Sequence, residues 1–231
     1  MKKFLLLTLS LLLMLNVCIA ETAPLQANVY VSITDESGNL VLAYDSVCVT
    51  DQNDDGALTL HDALACAHIL YNENGADAYN AVATEYGLSL TKLWGVENGG
   101  AYGYYLNDAS AWSLLDPVAE GDHVKAYVYT DLVTWSDTYT FFNTPALQAN
   151  ANEAITLTLY AAGYDANFMP VTLLVEGAVL TVNGEATDVV TDSEGNAAFM
   201  LTEDGLYVVS ACAEGVALVA PVCIITVGTA Q

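Results

Sequence analysis

Apolar and polar residues alternate along much of the chain, which is the pattern of half-buried β-strands. The segment NVYVSITDESGNLVLAYDSVCVT, residues 28–50, carries two such runs around the turn-rich cluster DESGN and predicts a β-hairpin. Further strands are predicted at GLSLTKLWGV, AYGYYLN and HVKAYVYTD. These runs predict a sheet in the first half of the chain.

Helical spacing follows the hairpin and has a clear start signal. One face of a helix over residues 60–71 would carry Leu60, Leu64, Ala67 and Tyr71. Thr59 and, three residues later, Asp62 form a variant of the capping box. A second short helix is predicted over residues 76–86. Strands combined with helices predict an α+β domain over residues 21–142.

The second half contains strand patterns only. Seven short runs at regular spacing predict an immunoglobulin-like β-sandwich over residues 154–231. They are AITLTLY, PVTLL, AVLTV, TDVVT, AAFML, LYVVSAC and VCIITV. The small and polar segment 143–153, which includes Pro145, is predicted to link the two domains.

The first twenty residues, MKKFLLLTLSLLLMLNVCIA, have the pattern of a secretory signal peptide. Lys2 and Lys3 form a basic start, residues 4–15 are apolar, and cleavage is expected after Ala20. The apolar run is shorter than a membrane-spanning helix needs. The mature chain is predicted to be secreted and extracellular.

The composition is strongly acidic, with 28 Asp and Glu residues against four Lys and Arg and a net charge of −24. Two of the four cations are Lys2 and Lys3, so the mature chain would keep two lysines against 28 acidic residues, a formal charge of −26. Such a surface repels phosphates and anionic lipid headgroups. Nucleic acids and anionic membranes are therefore excluded as partners.

Four cysteines remain after the predicted cleavage: Cys48, Cys66, Cys212 and Cys223. An even number in an exported chain permits disulfides, and three connectivities are possible. Cys212 and Cys223 flank a predicted hairpin and form the preferred pair. Free buried thiols are the alternative, because cysteine is also a common small core residue.

The segment TDQNDDGALTLHDAL, residues 50–64, crowds carboxylates around one glycine directly before the predicted helix. An EF-hand-type calcium loop requires oxygen ligands at positions 1, 3, 5, 7 and 12 and glycine at position 6. Numbered from the first aspartate, these ligand positions hold Asp51, Asn53, Asp55, Ala57 (through its backbone carbonyl) and Asp62. Gly56 stands at the turn. Residues 51–62 are predicted to bind a structural calcium ion.

Asp62 stands at position 12, where EF-hands usually carry glutamate, and this resembles the dockerin form of the loop. The resemblance implies calcium-dependent docking onto a partner protein. From the residues alone, the alternative is a solvated acidic turn that caps the helix.

Two aromatic-rich segments, GYYLND (residues 103–108) and EGDHVKAYVY (residues 120–129), resemble strands of the transcobalamin-like C-terminal domain family of exported bacterial proteins. The resemblance covers residues 27–142 and implies a β-grasp-like sheet. The predicted fold class is then an α+β β-grasp-like N-terminal domain followed by an all-β immunoglobulin-like sandwich. The family also implies cobalamin or another small molecule as a candidate ligand.

Clustered exposed aromatic residues mark recognition sites. The candidate ligand-binding aromatics of the predicted sheet are Trp94, Tyr102, Tyr104 and Trp112. Because side chains alternate along strands, about half of the aromatics in this sheet are expected to belong to the core instead.

The sequence contains no G-x-S-x-G, H-E-x-x-H, C-x-x-C or P-loop motif. We therefore expect a protein without enzymatic activity, secreted or at the bacterial cell surface, that binds an extracellular protein, glycan or small ligand. Cobalamin binding and dockerin-like docking are the two alternatives.

Overall fold

The structure is a computed structural model that describes residues 25–228. The predicted signal peptide, residues 1–20, and its cleavage site lie outside the described residues. Over residues 25–228, no helix has the length and apolarity that crossing a membrane requires.

Seventeen strands, one α-helix and one 3₁₀ helix make up the described part of the chain. The strands of the first half are β1 (Gln26–Thr34), β2 (Leu40–Thr50), β3 (Asn80–Thr84), β4 (Gly87–Lys92), β5 (Tyr102–Leu106), β6 (Ala109–Ser110) and β7 (His123–Val128). The α-helix α1 spans Leu60–Tyr71 and the 3₁₀ helix spans Gly75–Ala78. The strands of the second half are β8 (Thr138–Phe142), β9 (Ala146–Ala149), β10 (Ala154–Tyr164), β11 (Pro170–Leu174), β12 (Val179–Val182), β13 (Glu185–Val190), β14 (Asn196–Met200), β15 (Gly205–Cys212), β16 (Leu218–Val219) and β17 (Cys223–Val227).

The first sheet has the strand order β2-β1-β7-β5-β6. β1 and β2 pair antiparallel, which confirms the predicted hairpin, and β1 pairs parallel with β7. Helix α1 packs on β1, β2 and β7. Its buried Leu60 and Leu64 share one core with Val29, Val31 and Ile33 of β1. The hairpin β3–β4 forms a separate two-stranded sheet.

The helix predicted over residues 60–71 is confirmed, together with its start. Asp62 Oδ2 accepts hydrogen bonds from the backbone N–H of Thr59 (2.9 Å) and from its hydroxyl (2.6 Å). The helix predicted over residues 76–86 is wrong, because only one 3₁₀ turn forms and β3 follows. Val82 is β-branched and pairs with Ser89 of β4, so cross-strand pairing decides the structure here.

The seven runs predicted as strands in the second half all form strands. They belong to two sheets, β11-β10-β8-β16, with β14 also paired to β10, and β13-β12-β15-β17-β9. The two sheets share one core, whose fully buried side chains include Leu157, Leu159, Leu180, Val209 and Ile225.

The passage between the two halves differs in detail from the predicted linker. Residues 146–149 of the predicted linker form β9, which pairs in parallel with β17. β8 precedes it and pairs with β10 and β16, not with the first sheet. The chain therefore changes from one group of strands to the other between β7 and β8.

The predicted α+β class is wrong, and with it the β-grasp-like description of residues 21–142. Strands account for 51% and helices for 8% of the structure, and α1 is the single α-helix of the described residues. The chain is mostly β. The physical reason is that residues 80–84 and 87–92 pair as a hairpin in place of a second helix.

The predicted Cys212–Cys223 disulfide is not formed, since both cysteines are free thiols, as are Cys48 and Cys66. Cys223 stands opposite Val209 in the pairing of β15 with β17. Its thiol is buried whereas Cys212 is exposed, so the two side chains face different environments. Burial raises the pKa of the Cys223 thiol to about 12, which makes it unreactive at neutral pH.

The two halves meet at a small apolar cluster centred on Tyr127, Tyr139 and Val219. The ring of Tyr105 stacks on the ring of Tyr139, with centroids 3.4 Å apart. Gly103 lies opposite Tyr127 in the sheet, and a Cβ at this position would overlap the Tyr127 ring. The glycine therefore leaves the space that this ring occupies at the junction.

Candidate functional site

The predicted calcium loop, residues 51–62, connects β2 to α1. Asp51 Oδ2 accepts the backbone N–H of Gly56 (2.7 Å), and its Oδ1 accepts those of Asn53 and Asp55 (3.3 Å each). Gly56 has a φ of 82°, a conformation that glycine adopts without steric cost. These bonds, with Gly56 contributing most, hold the pKa of Asp51 below its ordinary value.

The two ends of this loop are in contact. Asp62 is fully buried, and its Oδ1 accepts the backbone N–H of Gln52 at 2.7 Å. Asp55 accepts bonds from the Asn53 side chain (3.0 Å) and from the backbone N–H of Ala57 (2.9 Å). All five predicted ligand residues therefore lie in one compact loop that is closed by its own hydrogen bonds.

The hydrogen bonds of this loop are compatible with two interpretations, a calcium-binding loop and an acidic turn without an ion. Within residues 25–228, no three His, Cys, Asp or Glu side chains are grouped as metal ligands. The carboxylates bind N–H groups of the loop, as they also would in an acidic turn that caps a helix. Carboxylate oxygens carry several lone pairs, so a bonded oxygen can still face a cation. The carboxylate, amide and carbonyl oxygens here are the ligand types that calcium prefers, and the calcium site stays a prediction.

The structure separates the four candidate aromatics. Tyr102 and Tyr104, both on β5, line one cleft. Trp94 packs instead against the buried ring of His68, with centroids 5.1 Å apart. Trp112 is 95% exposed, follows β6, and does not line the cleft. Two of the four therefore share a site, while one belongs to the packing of α1 and one stands alone.

The cleft has a volume of about 670 Å³ and lies between the β3–β4 hairpin and β5. Its lining includes Tyr86, Leu88 and Ser89 of the hairpin. The Tyr102 hydroxyl contacts backbone carbonyls, at 2.8 Å from that of Val96 and 2.9 Å from that of Thr91. Aromatic faces with a few polar groups are the lining that small ligands use.

The two buried histidines are structural. His68 Nε2 accepts the backbone N–H of Trp94 (2.9 Å), so Nδ1 carries the proton and donates it to the Leu64 carbonyl (2.6 Å). His123 Nε2 lies 2.9 Å from the Ser32 hydroxyl. Burial lowers the pKa of His68 to about 4 and that of His123 to about 3. The Ser32–His123 pair is 3% and 6% exposed, so a substrate has no access to it.

Sequence reasoning missed three of the four most exposed large apolar side chains. These four are Trp112 (95%), Tyr86 (89%), Val133 (87%) and Phe168 (85%). Each lies on a connection between two strands. One feature of the sequence could have identified Val133 and Phe168. The apolar segments VTW and NFM, residues 133–135 and 167–169, lie between predicted strands, where an apolar side chain is expected to be exposed.

No protein-family model matches the sequence, and no curated protein matches it. Among solved structures, the chain is similar to crystal structures of the N-terminal four Ig domains of Dscam1, in isoforms 6.9, 7.44 and 4.44. The sequence identities are 9%, 8% and 10%, and the TM-score is 0.25 in each case. The matches cover 65%, 87% and 87% of this chain but only 36%, 44% and 44% of those chains. Such TM-scores establish no shared fold or function.

Proposed function

We propose that this chain is a secreted or cell-surface protein that binds an extracellular partner and catalyses no reaction. The observation that best supports the proposal is the placement of Tyr86, Trp112, Val133 and Phe168 on strand connections. Connections that rigid sheets hold in place are where binding residues concentrate. Burying one large apolar side chain is worth about 1.5–3 kcal/mol, and a partner that covers these side chains would recover that free energy.

Arrays of extracellular proteins, mucins and cell-wall polysaccharides test this proposal. Residues 21–231, fluorescently labelled, should bind at least one immobilised component saturably and release no fragments from it. The matched control is an unrelated acidic protein of similar charge. Equal binding by this control, or cleavage of an array component by the chain, would contradict a binding protein without enzymatic activity.

The loop of residues 51–62 supports a second proposal, a structural calcium ion. Leu58 at position 8 is buried, and its carbonyl accepts the backbone N–H of Val118 at 2.9 Å. The loop is thus attached to the core of the first half at one side and to α1 at its end. An ion bound to the folded loop and not to the unfolded chain would stabilise both attachments.

Calcium is expected to raise the melting temperature. At about 100 times its Kd the ion adds about 2.7 kcal/mol, which is about 5–10 °C for a chain of this size. Asp51→Asn should abolish the increase, because it removes a ligand charge. Asp54→Asn should retain it, because position 4 supplies no side-chain ligand. Scanning calorimetry with calcium or with chelator checks this, and equal melting temperatures in both conditions would exclude the site.

The dockerin-like loop raises the question of docking onto a partner protein. If calcium organises a docking surface, wild-type chain should retain a cohesin-type domain on a column in calcium and release it in chelator. Retention that is unchanged by chelator, or absent in both conditions, argues against this alternative.

The cleft beside Tyr102 and Tyr104 favours one further candidate, a small ligand. The resemblance to the transcobalamin-like family makes cobalamin the first ligand to test. A visible-spectrum titration should show a saturable shift that is weakened by Tyr86→Ser, since this exposed ring lines the cleft. A spectrum that stays the same as that of free cobalamin would remove this candidate.

A further inference from the structure

One end of the sheet β11-β10-β8-β16 carries an apolar surface. β8 and β10 pair antiparallel, so the connection that leads into β8 and the turn that follows β10 lie at the same end. Both expose large apolar side chains. They are Leu132 (51%), Val133 (87%) and Trp135 (54%) before β8, and Tyr164 (67%), Phe168 (85%) and Met169 (60%) after β10. We call these six residues the sheet-end surface.

Two aromatic residues of this surface have unfavourable backbone conformations. Trp135 has a φ of 57° and Phe168 a φ of 61°, in the left-handed region that bulky residues rarely enter. Such conformations persist where the surrounding structure enforces them, and they concentrate at functional sites.

The turn around Phe168 has two counterparts in the same chain. Asp165 accepts the N–H groups of residues 167 and 169, as Asp35 does for residues 37 and 39 and Asp192 for residues 194 and 196. The fourth position of the other two turns is glycine, Gly38 with a φ of 78° and Gly195 with a φ of 72°. Phe168 therefore occupies a position where this chain otherwise uses glycine.

In both loops of the surface an aspartate accepts several hydrogen bonds from the loop itself. Asp131 accepts the backbone N–H groups of Val133 (2.9 Å) and Thr134 (3.0 Å), and it also bonds the hydroxyls of Thr134 and Ser136. The Thr134 hydroxyl makes the largest contribution to holding the pKa of Asp131 well below its ordinary value. A surface that is ordered before binding loses less conformational entropy when a partner arrives.

A row of ring contacts runs from Trp135 in the first loop to β10, the strand that precedes the second loop. Trp135 packs on Tyr129 at 5.1 Å between centroids, and Tyr129 packs on Tyr127 at 5.0 Å. Tyr127 contacts Tyr105 at 6.5 Å. The row continues from Tyr127 to Tyr139 (6.5 Å), to Phe141 (6.1 Å) and to Tyr160 of β10 (5.5 Å), so it reaches the strand that leads into the second loop.

Charge restricts what can cover this surface. Residues 25–228 contain two lysines, of which Lys92 pairs with Glu97 at 2.7 Å and Lys125 is buried beside Asp108 at 3.2 Å. The connection before β8 adds the carboxylate of Asp131. A second copy of this acidic chain, a nucleic acid or an anionic lipid would be repelled. A basic partner protein would be attracted.

We propose that the sheet-end surface docks onto a partner protein whose contact area is apolar at its centre and carries Lys and Arg at its rim. This inference rests on the proposed binding function and adds the surface and the chemistry of the partner. Trp135 and Phe168 are the anchors, because rigid aromatic side chains at the centre of an interface carry most of its affinity.

A synthetic peptide with a leucine face flanked by lysines, labelled for fluorescence anisotropy, serves as the probe. A second peptide has glutamate in place of every lysine. Wild-type chain should bind only the lysine peptide, and Phe168→Gly and Trp135→Asn should each weaken binding at least about tenfold. Gly and Asn are the residues that tolerate the left-handed conformation best, so both variants should keep the fold. The control Leu206→Ser removes an apolar side chain of similar exposure (65%) from β15 and should bind as wild type does.

Three outcomes would overturn the proposal: no binding of the lysine peptide, equal binding of the glutamate peptide, or equal affinity of wild type and both anchor variants. The array experiment separates this result from the proposed function. If Phe168→Gly binds the array as wild type does, the function stands and the surface is elsewhere. If wild type binds no array component, the function fails regardless of the peptide.

Discussion

Replacing Asp108 by asparagine is expected to lower the free energy of unfolding by about 3–5 kcal/mol, because it leaves the buried charge of Lys125 without a counter-ion. Lys125 is 5% exposed, and its ammonium lies 3.2 Å from Asp108 Oδ1. The asparagine amide would keep the shape of the side chain, and its oxygen could still accept the Tyr139 hydroxyl, which bonds Asp108 at 2.7 Å. What changes is the charge.

Deprotonation of Lys125 sets an upper limit to this loss. Burial lowers the pKa of Lys125, and the charge of Asp108 opposes that change. Without Asp108 the lysine can release its proton and remain buried as a neutral amine. At pH 7, which lies about 3.4 units below the ordinary lysine pKa of about 10.4, this deprotonation costs about 1.4 kcal/mol per unit, or about 5 kcal/mol in total. The expected loss lies within this limit.

Urea unfolding of a matched pair of variants checks this prediction. Asp188→Asn removes the same charge from an exposed position on β13 and is expected to change stability by no more than about 0.5 kcal/mol. Adding Lys125→Met to Asp108→Asn should restore most of the loss, because the buried charge is gone. Equal unfolding midpoints for Asp108→Asn and Asp188→Asn would show that the ion pair does not stabilise the junction.

Stability is expected to fall steeply as the pH drops from about 6.5 to 4. His68 and His123 are buried as neutral rings, with folded pKa values of about 4 and about 3 against 6.5 when unfolded. Between pH 6.5 and 4 the unfolded chain therefore binds protons at these two histidines, whereas the folded chain does not. The two neutral rings make their full contribution to the free energy of unfolding above pH 6.5. At about 1.4 kcal/mol for each unit between the folded and unfolded pKa, this contribution is about 3 kcal/mol for His68 and about 5 kcal/mol for His123.

Urea unfolding at a series of pH values measures this effect as a slope. Two histidines that take up protons on unfolding give a slope of about 2.7 kcal/mol per pH unit near pH 5. His123→Gln should reduce the slope to about half whatever it does to stability at pH 7, because one titrating group is gone. A free energy of unfolding that stays constant between pH 6.5 and 4.5 would show that these rings are not buried in the neutral form.

The sequence predicted helix α1 and the β1–β2 hairpin correctly, because interactions between residues close together in the chain determine both elements. Helix α1 begins at Leu60 because Thr59 and Asp62 bond each other, and this pair is visible in the sequence. The hairpin β1–β2 follows from alternation around one turn. Residues 76–86 could not be assigned in this way, because Val82 and its neighbours are decided by pairing with β4 and not by their own propensity. The α+β class was wrong for the same reason.

In the candidate site, too, sequence spacing predicted what neighbouring residues determine and failed where distant parts of the chain meet. The spacing from Asp51 to Asp62 identified a loop that the structure closes with its own hydrogen bonds. Trp94 could not be separated from Tyr102 and Tyr104 by sequence, because its position depends on the contact of α1 with the connection that follows β4. The left-handed backbone conformation of Phe168 could not be predicted either, since the local sequence pattern does not show that an aromatic residue occupies a turn position that usually holds glycine.

We propose that aromatic side chains stay exposed at the end of this sheet for binding and not for folding. The melting temperature of Phe168→Gly tests it most directly, with Gly38→Phe in the related turn as the reverse exchange. Because glycine adopts this turn conformation without strain, we expect Phe168→Gly to melt about 2–4 °C above wild type and Gly38→Phe to melt below it. A lower melting temperature for Phe168→Gly would show instead that the ring stabilises the fold.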